Sequence, residues 1–303
     1  MKPFRFGVSG GRQTRQEWLN LAREADDLGY STLLLPDHFG QQMAPLPALL
    51  SAADATTRLK VGTIVLDNDF RHPALLAKEA ATIDLLTEGR FELGIGAGWM
   101  AADYQRSGLP FDPPKERVAR LTEAVTIIKA FFAAEGPVTF RGRYYAVDDL
   151  PPFPPRKVPI LIAGTRRRML QLAAREADIV ALEDHQFAER ATASPTVNVA
   201  DAAEQVQIVR EAAGLRFPEL ELSVFAARTE ITNDQHGAVD RLAAQLQMSE
   251  EQIKESTSFL IGSVDQVVAQ LQERRERLNT SYVMIHDRVM DAFAPVVARL
   301  AGT

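Results

Sequence analysis

The sequence predicts an α/β protein, a (β/α)8 TIM barrel with insertion segments, forming a single domain over residues 1–303. Three observations lead to this class. Eight short apolar runs alternate with longer stretches of helical spacing. Most of the runs are continuous, as strands must be when a parallel sheet is covered on both faces by helices. Polar and titratable residues gather directly after the runs, where barrels of this kind build their sites. A doubly wound open sheet also fits the first two observations, but eight strand–helix repeats fit a closed barrel better.

In chain order, residues 4–9 read as the first strand. Residues 14–28 have helical spacing and stop at Gly29, a residue suited to the left-handed turn after a helix. The second run, 31–36, contains Thr32, Leu33, Leu34 and Leu35, and helical sequence resumes near Pro45. Residues 59–66 form a third strand rich in β-branched side chains. Pro73 opens the next helix at a position where its missing N–H costs nothing, and Gly89 closes it. The fourth strand is 90–96, followed by an amphipathic helix over 116–132. A fifth strand (159–164), a helix (166–176), a sixth strand (178–182), a long seventh run with partial alternation (220–231) and an eighth strand (280–286) with a closing helix to Leu300 complete the repeat. Three stretches interrupt it: 99–115 with three prolines, 136–157 with Pro151, Pro152, Pro154 and Pro155 and a short hairpin near 139–145, and the polar segment 184–196. Loops this long in a compact domain usually serve function or motion.

The composition narrows the chemistry. Apolar residues make up 46% of the chain, enough for a sizeable core. The net charge is −6 with no long basic run, which argues against a nucleic-acid surface. The chain has no cysteine, so disulfides, thiolate metal sites and cysteine nucleophiles are excluded. No apolar run approaches the roughly 20 residues of a membrane span. The first eleven residues lack the apolar core of a signal peptide, so a cytoplasmic enzyme acting on a small molecule is expected.

The residues after each strand are the candidate site. His38 follows the second strand with Asp37 and Phe39. Its imidazole can accept or donate a proton near neutral pH, while Asp37 can orient a ring or hold the loop. Asp67 to His72 follow the third strand. Gly94-x-Gly96-x-Gly98 ends the fourth, but Trp99 stands where a dinucleotide fingerprint needs glycine. The alternating glycines serve either a flat ring or close packing within the barrel. Gly164-Thr165-Arg166-Arg167-Arg168 is a strand-to-helix turn suited to a phosphate, with Arg166 or Arg167 placed to reach it. Glu183, Asp184 and His185 follow the sixth strand, and His286, Asp287 and Arg288 the eighth. The five histidines show no metal-binding spacing, so no metal site is assigned; ligands drawn from Asp37, His38, Asp67 and Glu183 would make the chain a metal-dependent hydrolase instead.

A collinear series then carries a resemblance. Residues 59–66 (LKVGTIVL), Phe70-Arg71-His72-Pro73, residues 89–99 (GRFELGIGAGW), Glu116-Arg117, residues 159–165 (PILIAGT) with Ala177-Asp178, and Gly262-Ser263-Val264-Asp265-Gln266-Val267 follow in order. In this series the chain resembles the luciferase-like monooxygenase superfamily, in particular its coenzyme F420-dependent branch. The resemblance implies a redox cofactor whose ring rests near the ends of strands two to four, with Asp37, Ile64, Val65, Asp67, Gly96 and Gly98 around it. It also implies a cis peptide at Ile64–Val65, a phosphate region at Gly164, Thr165 and Arg166, and His38 as the proton-transfer residue. The expected activity is hydride transfer between coenzyme F420 and a small organic substrate. The alternative is an FMN-dependent monooxygenase fed by a partner reductase. A homodimer through residues 45–55 and 74–86 is expected. One departure stands out: the sugar-phosphate and alcohol dehydrogenases of this branch carry glutamate where this chain has Trp99, so their substrates do not transfer.

Overall fold

The computed structural model describes residues 1–183 and 202–303; the candidates Asp184 and His185 lie outside the described residues. Strands β1 (Arg5–Ser9), β2 (Thr32–Leu35), β3 (Lys60–Thr63), β4 (Leu66–Asp67), β5 (Phe91–Gly96), β6 (Val138–Arg141), β7 (Ala146–Leu150), β8 (Ile160–Gly164), β9 (Ile179–Leu182), β10 (Glu221–Ala226), β11 (Arg228–Ile231), β12 (Phe259–Gly262) and β13 (Thr280–His286) follow one another along the chain. The main sheet runs β3-β2-β1-β13-β10-β9-β8-β5-β4, and β3 also pairs with β5. All its pairings are parallel, so the sheet closes into an eight-stave barrel whose third stave is β3 and β4 in succession.

Local sequence explains the first helices. Helix α1 (Arg15–Asp27) starts in a capping box: the Thr14 hydroxyl accepts from Glu17 N–H, and the Glu17 carboxylate reaches back to Thr14 N–H. Helix α2 (Pro45–Asp54) and helix α3 (Pro73–Leu86) both begin with proline, and the His72 ring caps α3 by accepting from Ala74 N–H at 3.3 Å. Helix α4 (Ala101–Ser107) and helix α5 (Pro114–Ala133) follow β5, and helix α6 (Arg167–Glu176) follows β8.

Two apolar layers result. The larger lies between strands and helices and includes Trp18, Leu33, Leu49, Leu93, Ile128 and Phe293. The smaller comes from strand residues alone, among them Leu34, Leu161, Ala181, Tyr282 and Met284, with Ile64, Val65 and Phe225 packed on it; it fills the barrel interior. At the N-terminal end of the strands, Arg5 bridges Glu92 (2.7 Å) and Glu221 (2.6 Å) with the Tyr282 ring 3.5 Å from its guanidinium. These paired charges close the end of the barrel away from the site, where side chains serve stability.

The third strand is interrupted at Ile64–Val65, whose peptide bond is cis, as the resemblance implied. Two other elements differ from expectation. The seventh run divides at Ala227: β10 stays in the barrel, while β11 leaves it to pair with β12, which the sequence pattern did not reveal. The partial alternation is the trace of this change, because β11 is covered on one side only. The stretch 99–115 holds α4, whose buried residues are Asp103 and Tyr104. Among the described residues, no helix is long and apolar enough to cross a membrane.

Candidate active site

The strand register brings the candidate residues to one mouth. Ser9 pairs with Leu34 and His286, Leu35 with Thr63, Asp67 with Gly96, and Gly164 with Leu182. Ile64 N–H donates to Leu35 O at 3.1 Å, so the cis bulge stands beside the residues leading into His38.

His38 is held from two sides. Its Nδ1 lies 2.7 Å from Asp103 Oδ2, and the Trp99 ring meets it edge to face with centroids 5.7 Å apart. The His38 side chain remains 29% exposed while that of Asp103 is 3% exposed. Asp37 takes the loop-holding part of its two expected roles: its carboxylate is forked by Arg71 and accepts from Asp67 N–H at 3.1 Å, tying the loops after β2 and β4 together.

The glycine run resolves toward packing. A Cβ on Gly94 would stand 1.9 Å from Thr63 O, one on Gly96 2.7 Å from Val65 Cγ2, and one on Gly98 2.0 Å from the Tyr104 hydroxyl oxygen and 2.3 Å from Asp67 Oδ2. The space freed by these glycines is therefore filled by this chain's own atoms. Gly96 in particular makes room for the Val65 side chain of the bulge. The reading of Gly96 and Gly98 as a bare surface under a ring is corrected in this respect, and any support they give a ring passes through Val65 and Asp67.

Behind the bulge lies a charged network. Asp67 Oδ1 accepts from Asp69 N–H (2.9 Å), and the Tyr104 hydroxyl is 3.0 Å from both Asp67 Oδ1 and Asp69 Oδ2. Burial pushes the Asp67 carboxyl up to about 6, opposed by its hydrogen bonds from Asp69 N–H and Tyr104 and reinforced by the nearby charges of Asp69 and Asp37. The Tyr104 hydroxyl has one proton and donates to only one of the two carboxylates at a time. Arg120 neutralises Asp69 at 2.8 Å and also pairs with Asp112. Arg117 Nε donates to Ala97 O at 3.1 Å, fixing the loop after β5.

Across the mouth, Thr165 is half-buried at the start of α6, whose first turn carries Arg167 and Arg168 and no acidic residue. His286, at the end of β13, packs against Phe225 (4.8 Å); burial, with Arg288 beside it, lowers its tendency to protonate. Asp37, His38, Asp67 and Glu183 form no metal-ligand group among the described residues; the group that does form there is His236, Asp240 and Glu250, of which His236 and Asp240 are exposed.

Residues 1–206 match the profile of the luciferase-like monooxygenase family. The chain belongs to that family. Within it, an F420-dependent glucose-6-phosphate dehydrogenase of Microbacterium testaceum (strain StLB037) is 36% identical over 188 residues, covering 58% of this chain and 55% of the relative. The chain thus matches about half the length of that relative. Among solved structures, an F420-dependent secondary alcohol dehydrogenase in complex with an F420–acetone adduct superposes with a TM-score of 0.78 at 19% identity, covering 99% of each chain. The coenzyme F420-dependent tetrahydromethanopterin reductase of Methanopyrus kandleri gives 0.75 at 18% identity, covering 99% of this chain and 98% of that one. These two likenesses show the shared barrel fold.

Asp103, which reaches His38, Tyr104, which reaches Asp67 and Asp69, and Arg120, the counter-ion of Asp69, were not assigned roles from the sequence. A signal was present: Arg117 and Arg120 are spaced three apart on α5, which puts them on one face of that helix.

Proposed function

We propose that this chain is an oxidoreductase that exchanges hydride between coenzyme F420 and a small organic substrate, with His38 handling the proton. The observation that carries the reading is the placement of His38, fixed by a buried carboxylate yet partly exposed, three residues after Leu35, whose carbonyl accepts from Ile64 N–H at the apolar bulge over the barrel interior. An apolar ledge next to a proton carrier suits a flat redox ring, and the relationship to F420-dependent glucose-6-phosphate dehydrogenases favours the deazaflavin. When bound, a deazaflavin supplies hydride chemistry, since carbon replaces the reactive nitrogen of flavin. Ile64 and Val65 would support its ring. Asp37 and Asp67 would hold the loops around it, with Gly96 and Gly98 behind. Gly164, Thr165 and Arg166 would take its phosphate at the start of α6, where free backbone N–H groups and the helix dipole favour an anion. Trp99 places an indole, 41% exposed, beside His38, so glucose 6-phosphate is not carried over as substrate.

The same reading places the protein in the cytoplasm as a homodimer. Equilibrium titration by ring fluorescence tests the cofactor: F420 should bind more tightly than FMN or FAD. Tight FMN binding without F420 binding, together with oxygen uptake on adding reduced FMN, would instead establish the monooxygenase and its need for a partner reductase.

A further inference from the structure

We infer that Asp103 is a positioning residue that decides which ring nitrogen of His38 exchanges the proton. The inference rests on the proposed role of His38, but the geometry beneath it is independent of any cofactor. Both carboxylate oxygens of Asp103 are engaged: Oδ2 lies 2.7 Å from His38 Nδ1, and Oδ1 accepts from Phe39 N–H at 3.2 Å. Arg106 Nη1, 3.7 Å from Oδ1, adds positive charge beside them. An ionised carboxylate can only accept hydrogen bonds. His38 Nδ1 must therefore carry its hydrogen, and in the neutral ring Nε2 is the nitrogen with a lone pair. The Phe39 N–H anchors the carboxylate from the backbone, and Trp99 bounds the ring on another side. When a substrate O–H bond breaks, its proton forms the new N–H bond at Nε2, the electron pair stays on the substrate oxygen, and the resulting imidazolium is balanced by the Asp103 carboxylate. In the reverse direction Nε2–H returns the proton.

Asp103→Asn separates this role from mere packing. The amide has one accepting oxygen. The Phe39 N–H cannot change its role, whereas an imidazole can exchange tautomers, so the oxygen stays on the backbone and the NH2 faces His38 Nδ1. The ring must then carry its hydrogen on Nε2. In a Ser-His-Asp triad the same exchange keeps the geometry and lowers kcat about 10⁴-fold through the wrong tautomer. The test uses the full chain with ¹⁵N-labelled histidine and no ligand, at about pH 8, where an ordinary imidazole is neutral. His38 is identified by the signal lost in His38→Gln. The wild type should show hydrogen on Nδ1 and a bare Nε2, and Asp103→Asn should show the reverse. Acylation of His38 by diethyl pyrocarbonate, which attacks the bare nitrogen, should slow several-fold in the variant. Hydrogen on Nε2 in the wild type overturns the inference without need of any variant, and so does an unchanged tautomer in a folded Asp103→Asn. F420 affinity should stay within a few-fold of wild type. If F420 fails to bind the wild type while the tautomers behave as stated, the cofactor assignment falls and the positioning role stands.

Discussion

At the scale of single residues, the site separates acids by environment. Asp37 is matched by Arg71, Asp103 by His38 and Arg106, and Asp69 by Arg120. Among the described residues, Asp67 has a hydroxyl and a backbone N–H but no cation on it, and its carboxyl is raised to about 6 by burial. A carboxyl whose folded pKa lies above its unfolded value binds more protons in the folded state, so stability falls as pH rises through the window from about 4 to about 6. Above that window the ionised form costs up to about 3 kcal/mol, the free energy of a two-unit shift. Asp67→Asn keeps an accepting oxygen and removes the charge. Its thermal stability should match wild type near the bottom of the window and exceed it at higher pH, as followed by circular dichroism. A difference that does not grow with pH would show that Asp67 carries no such penalty.

Among elements, the β3–β4–β5 contact determines the shape of the mouth. Gly94→Ala places a methyl group against the Thr63 carbonyl, which as backbone cannot give way, and should cost about 3 kcal/mol or more. Gly40→Ala, at a residue with nothing within 4 Å, should change stability by less than about 0.5 kcal/mol. Urea melts of the two variants compare them directly, and equal costs would refute the close-packing account. The turn from β8 to α6 is tested separately. Thr165→Ala with Arg166→Ala should weaken F420 binding by about 1–3 kcal/mol through the loss of charge-assisted hydrogen bonds. Unaltered affinity in the double variant would place the phosphate elsewhere.

For the whole molecule, the expected dimer has a candidate face. Leu75, Leu85 and Leu86 of α3 are exposed on a helix that buries Leu76, Ala77, Ala80, Ala81 and Ile83 in the core. These exposed leucines make α3 the candidate face for the proposed homodimer. Light scattering at micromolar concentration should report a dimer, and Leu75→Glu with Leu86→Glu should shift it to the monomer without loss of helical signal. A monomeric wild type would remove this assignment.

Much of the barrel is already determined by the sequence alone. Continuous apolar runs, glycine and proline at helix ends and polar clusters after the strands are local properties, and local physics places them. The same holds for His38 at a strand end, and the family pattern adds the cis bond at Ile64–Val65. The tertiary structure decided what those residues touch. Whether Gly96 faces a ring or Val65, whether Asp37 serves a ligand or Arg71, and which acid reaches His38 depend on side chains from staves far apart in the chain. The Asp103 that meets His38 lies 65 residues further on, and the Arg5 that closes the opposite end meets Glu221 across 216. Register and barrel closure create such pairs, and neither is encoded in any local window of residues.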